Sequence, residues 1–579
     1  MIMERRGRIL AILLLMGLGF ALVALRLVYL QIFQRAELSA RAERQQERLV
    51  KLEPKRGTIY DRMHRELAVS LDVDSIYGVP AEIENPRAIA QRLSTILHES
   101  PRVLERRLAG NKHFVWLSRK VEPVKAEKVK ALGSREIGSL LESKRFYPKK
   151  TLAGPLIGFT GMDNEGLEGL ERAYDKVLHG VSGWMIAEKD AVGRTVFPGG
   201  AGFRFRQPTK PGNDIVLTID EVIQHITERE LDAALASSHA KGGVCIVMNP
   251  DNGEVLALSV RTAVHERPAF NPNEPQRYKP ADWRNRAVTD AFEPGSIFKP
   301  ILASAALEER VVHPLERFDC SAGKIQVADR VIKDAHENGV LTFTDVIADS
   351  SNVGTIKVAL RLGKERFSKY IAAFGFGQKT GVDIPGEISG LLKDYRLWSG
   401  VSIGSIAIGQ EIGVTPMQMA TAYCAIANGG MLMRPYIVSE IVDHGGGDGK
   451  KFGPQLVRRV ISEGTCSKVN KILQRVVEAG TGQKAQPAGY TAAGKTGTAQ
   501  KIDQRTGVYS KKDYVSSFVG FVPAVAPKLV ILVMVDTPEG VVWGGSVAAP
   551  VFKEVAEQSL AYLQVAPDNE GGRMLLVTR

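Results

Sequence analysis

One stretch near the amino terminus constrains this chain more than any other. Met1–Arg8 carries Arg5, Arg6 and Arg8, and Ile9–Leu25 then runs without a single charge. At about 1.5 Å per residue, that run makes about 26 Å of helix, enough to cross the hydrocarbon core of a bilayer. Leu27–Phe33 extends it past Arg26, whose long side chain can snorkel to the interface. Helix-prone sequence continues at Ala36-Glu37-Leu38 with no small-x-small cleavage site, so the run reads as an uncleaved anchor rather than a signal peptide. The arginines ahead of it predict a cytoplasmic amino terminus, which puts everything beyond about residue 35 outside the cytoplasm. No other stretch is apolar enough to span, so a single-pass membrane protein is expected.

The rest reads as folded protein. At 579 residues, 44% hydrophobic and 24% charged, disorder is excluded and about two to four domains are expected. Lys+Arg of 76 against Asp+Glu of 64 leaves +12, a mild excess at this length. No interleaved basic and aromatic signature accompanies it, so a nucleic-acid partner is not expected. The four cysteines, Cys245, Cys320, Cys424 and Cys466, are far apart and lack a CxxC or histidines at ligand spacing. They read as small buried apolar residues rather than a metal site or a disulfide framework.

Gln34–Leu49 is polar and helix-prone, with Glu37 and Arg41 at i,i+4, and reads as a solvated stalk. From Val50 to about Arg206, short strand-like and helical pieces alternate without any convergent acid–base or ligand cluster, as in a pedestal or partner-binding module. Pro198-Gly199-Gly200 through Pro211-Gly212 marks a boundary. Beyond it, Asp214–Asp220 alternates like a strand, Glu221–Ser238 suits a helix, and Gly243–Leu258 is a hairpin about the turn Asn249–Gly253. Helical stretches follow, then strands at Val515–Pro523 and Lys528–Val535 and a helix from about Pro550 to Leu563. Strands early, helices in the middle, strands late and a closing helix predict an α+β domain with one mostly antiparallel sheet flanked by helices.

Three short motifs carry chemistry. Ser296-Ile297-Phe298-Lys299 follows a Pro294-Gly295 turn; if Ser296 opens a helix, Lys299 lies one turn on, on the same face. A serine hydroxyl becomes a nucleophile when a base within hydrogen-bond reach takes its proton, and a lysine kept neutral by desolvation and a neighbouring cation can be that base. Ser350-Ser351-Asn352 sits between two helix-like stretches, where a hydroxyl can relay a proton and a carboxamide can hold a substrate amide. Taken alone, this triplet is better read as a helix cap. Lys495-Thr496-Gly497-Thr498, with small residues around it, would grip a carboxylate with one cation and two hydroxyls while its backbone pairs with a peptide as an added strand. Each end motif has a second copy. Ser321-Ala322-Gly323-Lys324 reads as a loop and Lys379-Thr380-Gly381 as a turn.

In this order and spacing the three motifs resemble the penicilloyl-serine transferases. The residues around them are similar to class B penicillin-binding proteins: Arg284–Asp290 and Glu293-Pro294-Gly295-Ser296, Val414–Met419, Ala427–Gly430, Ala493–Gln500 and Gly544–Phe552. Upstream, Arg56–Arg62 and Gly169–Tyr174 resemble that family's pedestal motifs, except that Met63-His64 stands where Asn-Gly is usual. The resemblance implies a peptidoglycan D,D-transpeptidase. Ser296 would attack the penultimate D-alanine carbonyl of a stem peptide with Lys299 as base, and Ser350 would pass a proton to the departing amine. Asn352 would hold the peptide amide and Lys495 would add positive charge as a further catalytic residue, while Thr496 and Thr498 would bind the terminal carboxylate in a substrate-binding strand that includes Gly497. Backbone N–H groups of Ser296 and Thr498 would form the oxyanion hole. No metal or cofactor is implied.

The same resemblance lays the chain out as a cytoplasmic tail (1–8), an anchor (9–33), a stalk and pedestal for dimerisation or partners (34–206), a transpeptidase domain (207–565) and a carboxy-terminal tail (566–579). It implies D-Ala-D-Ala stem peptides and β-lactams as ligands, a membrane-embedded glycan polymerase and division proteins as partners, and it admits a homodimer. The modest pedestal and the short stretch after Leu563 lean toward the division (septal) type over the elongation type. A β-lactamase or sensor is disfavoured because no Glu-x-x-x-Asn follows Ser-x-Asn and no signalling parts are evident. A silent scaffold is disfavoured by intact Ser296, Lys299 and Lys495.

Overall fold

The computed structural model describes residues 2–38, 47–112, 114–189, 195–196, 204–263, 266, 268–444, 447, 449–503 and 505–569. Half of the expected stalk (39–46), the Pro198-Gly199-Gly200 boundary and tail residues 570–579 lie outside them. The amino-terminal helix Ile2–Val28 runs on through a π-helical turn at Tyr29–Phe33. Its apolar part, Gly7–Phe33, has a mean hydropathy of 2.5 with none of it buried, as a single-pass membrane anchor requires.

The chain divides into two compact units that interleave in sequence. The first comprises residues 1–55, 71–144 and 180–210, the second residues 56–70, 145–179 and 211–579. In the first, Pro86–Leu97 and Pro101–Leu108 begin with proline, which suits a first helical turn whose N–H groups have no intrahelical partner. Their Leu93, Leu97, Leu104 and Leu108 close over Ile76 and Leu117 of paired strands. A separate sheet pairs Glu47–Leu52 with Gly183–Lys189.

The second unit is built on a five-stranded antiparallel sheet. Its strands are β1 (Gly242–Met248), β2 (Val255–Thr262), β3 (Ala493–Ile502), β4 (Tyr509–Val522) and β5 (Leu529–Asp536), in the order β2-β1-β5-β4-β3. The strands read as apolar runs because both faces are covered. Val244, Ile246 and Met248 enter one core with Leu532 and Val519, while Cys245 and Val247 enter the other with Ile531 and Val533. Helices α1 (Glu221–Ser237) and α7 (Ala549–Tyr562) cover the second face. On the first face lie α2 (Lys299–Glu308), α3 (Phe343–Ala348), α4 (Asn352–Leu362), α5 (Pro416–Ala427) and α6 (Glu463–Glu478), the last reaching both cores. The α+β architecture expected from the sequence is the one observed. All four cysteines are buried and free.

Two stretches from before residue 206 belong to this second unit. Ile59–Tyr60 pairs in parallel with Asp214–Leu217, and Arg56 reaches across to residues 164–175. Arg56 Nε lies 2.9 Å and Arg145 Nε 2.6 Å from the two oxygens of Glu171, with all three side chains buried. Each charge is thus compensated by a hydrogen-bonded partner, the condition for burying it. In the turn that departs from the family pattern, Asp61 Oδ1 accepts the N–H groups of Met63 and Arg65, and His64 stands at φ +58°, a left-handed conformation ordinarily left to glycine.

Candidate active site

Ser296 sits on a backbone held by two glycines in contact. Gly295, at φ +58°, donates its N–H to Gly409 O at 3.0 Å, and a Cβ on Gly409 would come within 2.1 Å of Gly295 O. Ser296 does not open the α-helix directly. Gly295–Phe298 forms a 3₁₀ turn and α2 begins at Lys299. Pro300 has no N–H to give the carbonyl of Ser296, so that carbonyl takes the N–H of Lys299 instead. Ile297 and Phe298 anchor the turn in the core, and Tyr423 Oη donates to Ile297 O at 2.9 Å.

Lys299 is fully buried, and its Nζ lies 2.5 Å from Ser350 O, 3.2 Å from Ser350 Oγ and 2.9 Å from Asn352 Oδ1. Burial pushes its pKa down to about 7, against the pull of nearby Asp334. An amine with that value is a competent general base near neutrality. The residues of the Ser-x-Asn triplet are placed differently, one at a helix end and two at the cleft. Ser351 caps α4 by accepting the Gly354 N–H at 3.1 Å, while Ser350 and Asn352 line the cleft. Ser350 stands at φ +63°, an unfavourable conformation for a residue with a side chain.

Strand β3 is the outermost of its sheet, so its free edge can take an extended peptide as a further strand. Thr496 and Thr498 point into the cleft. Thr496 Oγ1 lies 2.7 Å from Thr481 Oγ1, and Thr498 Oγ1 accepts the Gly544 N–H at 3.0 Å. Lys495 is fully buried, its Nζ donating to Thr496 O at 3.2 Å. Burial, then the neighbouring Lys299, drives its pKa well below the usual lysine value, opposed by Asp349. Gly497 faces inward. A Cβ there would meet Ser517 Oγ at 2.5 Å and Pro294 O at 3.1 Å, so the glycine lets β3 press against the loop that carries Ser296.

The cleft between these elements has a volume of about 410 Å³ and is lined by Ser296, Ser350, Asn352, Thr496 and Thr498, with His336 and Trp543 at 6.0 Å between ring centres. All three motifs therefore converge, with both lysines beneath the cleft rather than on its wall. The duplicate motifs lie elsewhere. Ser321 bonds Asp319 on an exposed turn, and Glu387 holds the backbone and hydroxyl of Thr380. Asp334, Thr481, Gly544 and Asp349 complete the site, and sequence reasoning did not single them out for it. Gly544 stands in a stretch noted for its resemblance, whereas Asp334 and Thr481 belong to no motif. Among the described residues no group of His, Cys, Asp and Glu could hold a metal ion. A nucleophile, a buried base, oriented oxygens and an open strand edge together suit acyl transfer from a peptide.

Residues 243–557 match the penicillin binding protein transpeptidase domain, and residues 51–217 the penicillin-binding protein dimerisation domain. Stage V sporulation protein D of Bacillus subtilis is 36% identical over 571 residues, covering 97% of this chain and 86% of that protein. The peptidoglycan D,D-transpeptidase FtsI of Escherichia coli is 32% identical over 563 residues, covering 96% and 91%. Among solved structures, penicillin binding protein 3 of Mycobacterium tuberculosis in complex with aztreonam superposes with a TM-score of 0.69 at 29% identity, covering 90% of this chain and 98% of that one.

Proposed function

This chain belongs to the class B penicillin-binding proteins and is a peptidoglycan D,D-transpeptidase; from that premise we propose that it acts through an acyl-enzyme on Ser296 and serves the septum during division. The observation that carries the acyl-enzyme reading is the buried Lys299 amine beneath the turn of Ser296, bonded to the oxygens of Ser350 and Asn352. Ser296 Oγ attacks the penultimate D-alanine carbonyl and its proton passes to Lys299. The tetrahedral oxyanion is held by backbone N–H groups of Ser296 and Thr498. Collapse breaks the peptide bond, and the departing D-alanine takes a proton by way of Ser350. Asn352 holds the stem-peptide amide, Thr496 and Thr498 grip the terminal carboxylate above the buried Lys495, and Gly497 keeps the strand close. An amine from a neighbouring stem peptide then attacks the ester, forming the cross-link and returning Ser296 to its hydroxyl.

The test is intact mass of the detergent-solubilised chain after brief exposure to a penicillin, with peptide mapping. A stable adduct on Ser296, absent in a folded Ser296→Ala variant, supports the reading. No adduct overturns it, and rapid loss of the adduct marks a β-lactamase.

The septal role draws support from full-length relatives, FtsI among them. In the same reading the amino terminus is cytoplasmic and the catalytic domain lies outside. In it residues 34–206 are assigned to the pedestal, where a membrane-embedded glycan polymerase, division proteins or a second copy would dock, and 207–565 to the transpeptidase domain, with 56–70 and 145–179 packed into the catalytic unit. Depletion in the native cell separates the two types, with filaments expected for the septal role and rounded cells overturning it in favour of elongation.

A further inference from the structure

Four hydrogen-bond donors converge on one carboxylate that belongs to none of the three motifs. Asp334 follows the strand Arg330–Lys333. Its Oδ1 accepts the N–H of Asn352 at 2.5 Å and of Val353 at 2.9 Å, and its Oδ2 accepts Ser351 Oγ at 2.8 Å and Asn338 Nδ2 at 2.9 Å. The preceding residue completes the grip, because Lys333 O accepts Asn352 Nδ2 at 2.8 Å. With its nitrogen held there, the Asn352 carboxamide can only turn its oxygen the other way, where it meets Lys299 Nζ at 2.9 Å.

We infer that Asp334 is a positioning residue for the transpeptidation: its carboxylate locks Ser351, Asn352 and Val353 so that the oxygens of Ser350 and Asn352 face Lys299. The inference rests on the acyl-enzyme reading above.

The charge of Asp334 acts beside its geometry. The charged group that bears on Lys299 is Asp334, from the segment after Arg330–Lys333; Lys495 of β3 lies close by, is itself disfavoured as a cation by burial and by Lys299, and is faced by Asp349 at the end of α3. Asp334 favours the protonated amine, while burial favours the neutral one. Removing the negative charge while keeping the shape therefore makes Lys299 easier to deprotonate, which a purely structural bracket would not do.

The experiment measures the second-order acylation rate of the full chain in detergent with a fluorescent penicillin, from about pH 5.5 to about pH 9.5, alongside thermal unfolding. Asp334→Asn keeps an oxygen for the two backbone N–H groups, so acylation is expected to fall only a few-fold while the acid-limb midpoint moves down by about half a unit or more. Asp334→Ala, which leaves those donors unpaired, is expected to lose at least about tenfold. Asp334→Glu keeps the charge and should return the midpoint to the wild-type value even where the rate stays reduced. An unmoved midpoint in a folded Asp334→Asn variant, or wild-type rates in Asp334→Ala, overturns the inference. Wild-type protein that forms no Ser296 adduct overturns the parent reading instead, so the two failures are distinguishable.

Discussion

Lys299 Nζ stands 2.9 Å from the carboxamide oxygen of Asn352, a residue 53 positions further along the chain, and neither side chain could hold this arrangement alone. The lysine is fully buried and the asparagine partly so, and the amine has only oxygen acceptors within hydrogen-bond reach. That contact ties the first motif to the second, while burial, rather than the contact, is what lowers the pKa of the amine.

Acylation by a β-lactam is expected to rise with pH through a midpoint at about 7, the value to which burial brings Lys299. The same group sets a stability dependence. Between about 7 and the ordinary 10.5 the unfolded chain holds a proton at this lysine that the folded protein does not, so its penalty falls as pH rises through that window. Below about 7 the folded protein carries the buried charge and the penalty is complete. Lys299→Met should lose acylation by about a thousandfold or more and gain stability relative to wild type, most at pH 6 and least at pH 10. Stopped-flow acylation and thermal unfolding at the two pH values check both halves.

Ser350→Gly separates strain from chemistry. Glycine accepts φ +63° freely, so unfolding should require about 1 kcal/mol more, less the greater freedom of glycine in the unfolded chain. Loss of the hydroxyl should slow departure of the leaving amine by about a hundredfold. A variant as stable as wild type or more so, yet impaired in turnover, is the expected result, read from thermal unfolding and cross-linking of a peptide donor.

Gly497→Ala probes the packing of β3 against the serine turn. Its methyl would fall 2.5 Å from Ser517 Oγ, 3.0 Å from an Ile297 methyl and 3.1 Å from Pro294 O. The serine hydroxyl can rotate, but the Pro294 carbonyl belongs to the backbone that positions Ser296. Acylation should fall at least about a hundredfold, with about 1–3 kcal/mol lost in stability. Penicillin labelling of a variant shown to be folded checks this.

Much of the scaffold was legible because it follows local rules. The hairpin about Asn249–Gly253, the helix after Asp220 and the late strands fall within a few residues of where turn chemistry and apolar periodicity put them, though β4 begins at Tyr509, six residues before the apolar run. The capping alternative for Ser-x-Asn was also legible, and Ser351 realises it. Less accessible was the interleaving by which residues 56–70 and 145–179 join the catalytic unit. The ion pairs of Arg56 with Glu171 and Asp175 cross more than a hundred positions and leave no periodic trace.

By itself, then, the sequence determined an apolar span long enough for a membrane, an α+β order of elements and three motifs in a family-specific succession, since all of these are written in neighbouring residues. Only the tertiary structure decided that Lys299 and Lys495 lie under the cleft rather than on it, that Asp334 grips the Ser-x-Asn loop, and that Gly409 and Gly497 make room for the serine turn. Desolvation, electrostatic fields and close packing depend on what lies within a few ångströms in space, and residues 296, 334, 350 and 495 become neighbours only when the sheet and its helices close around them.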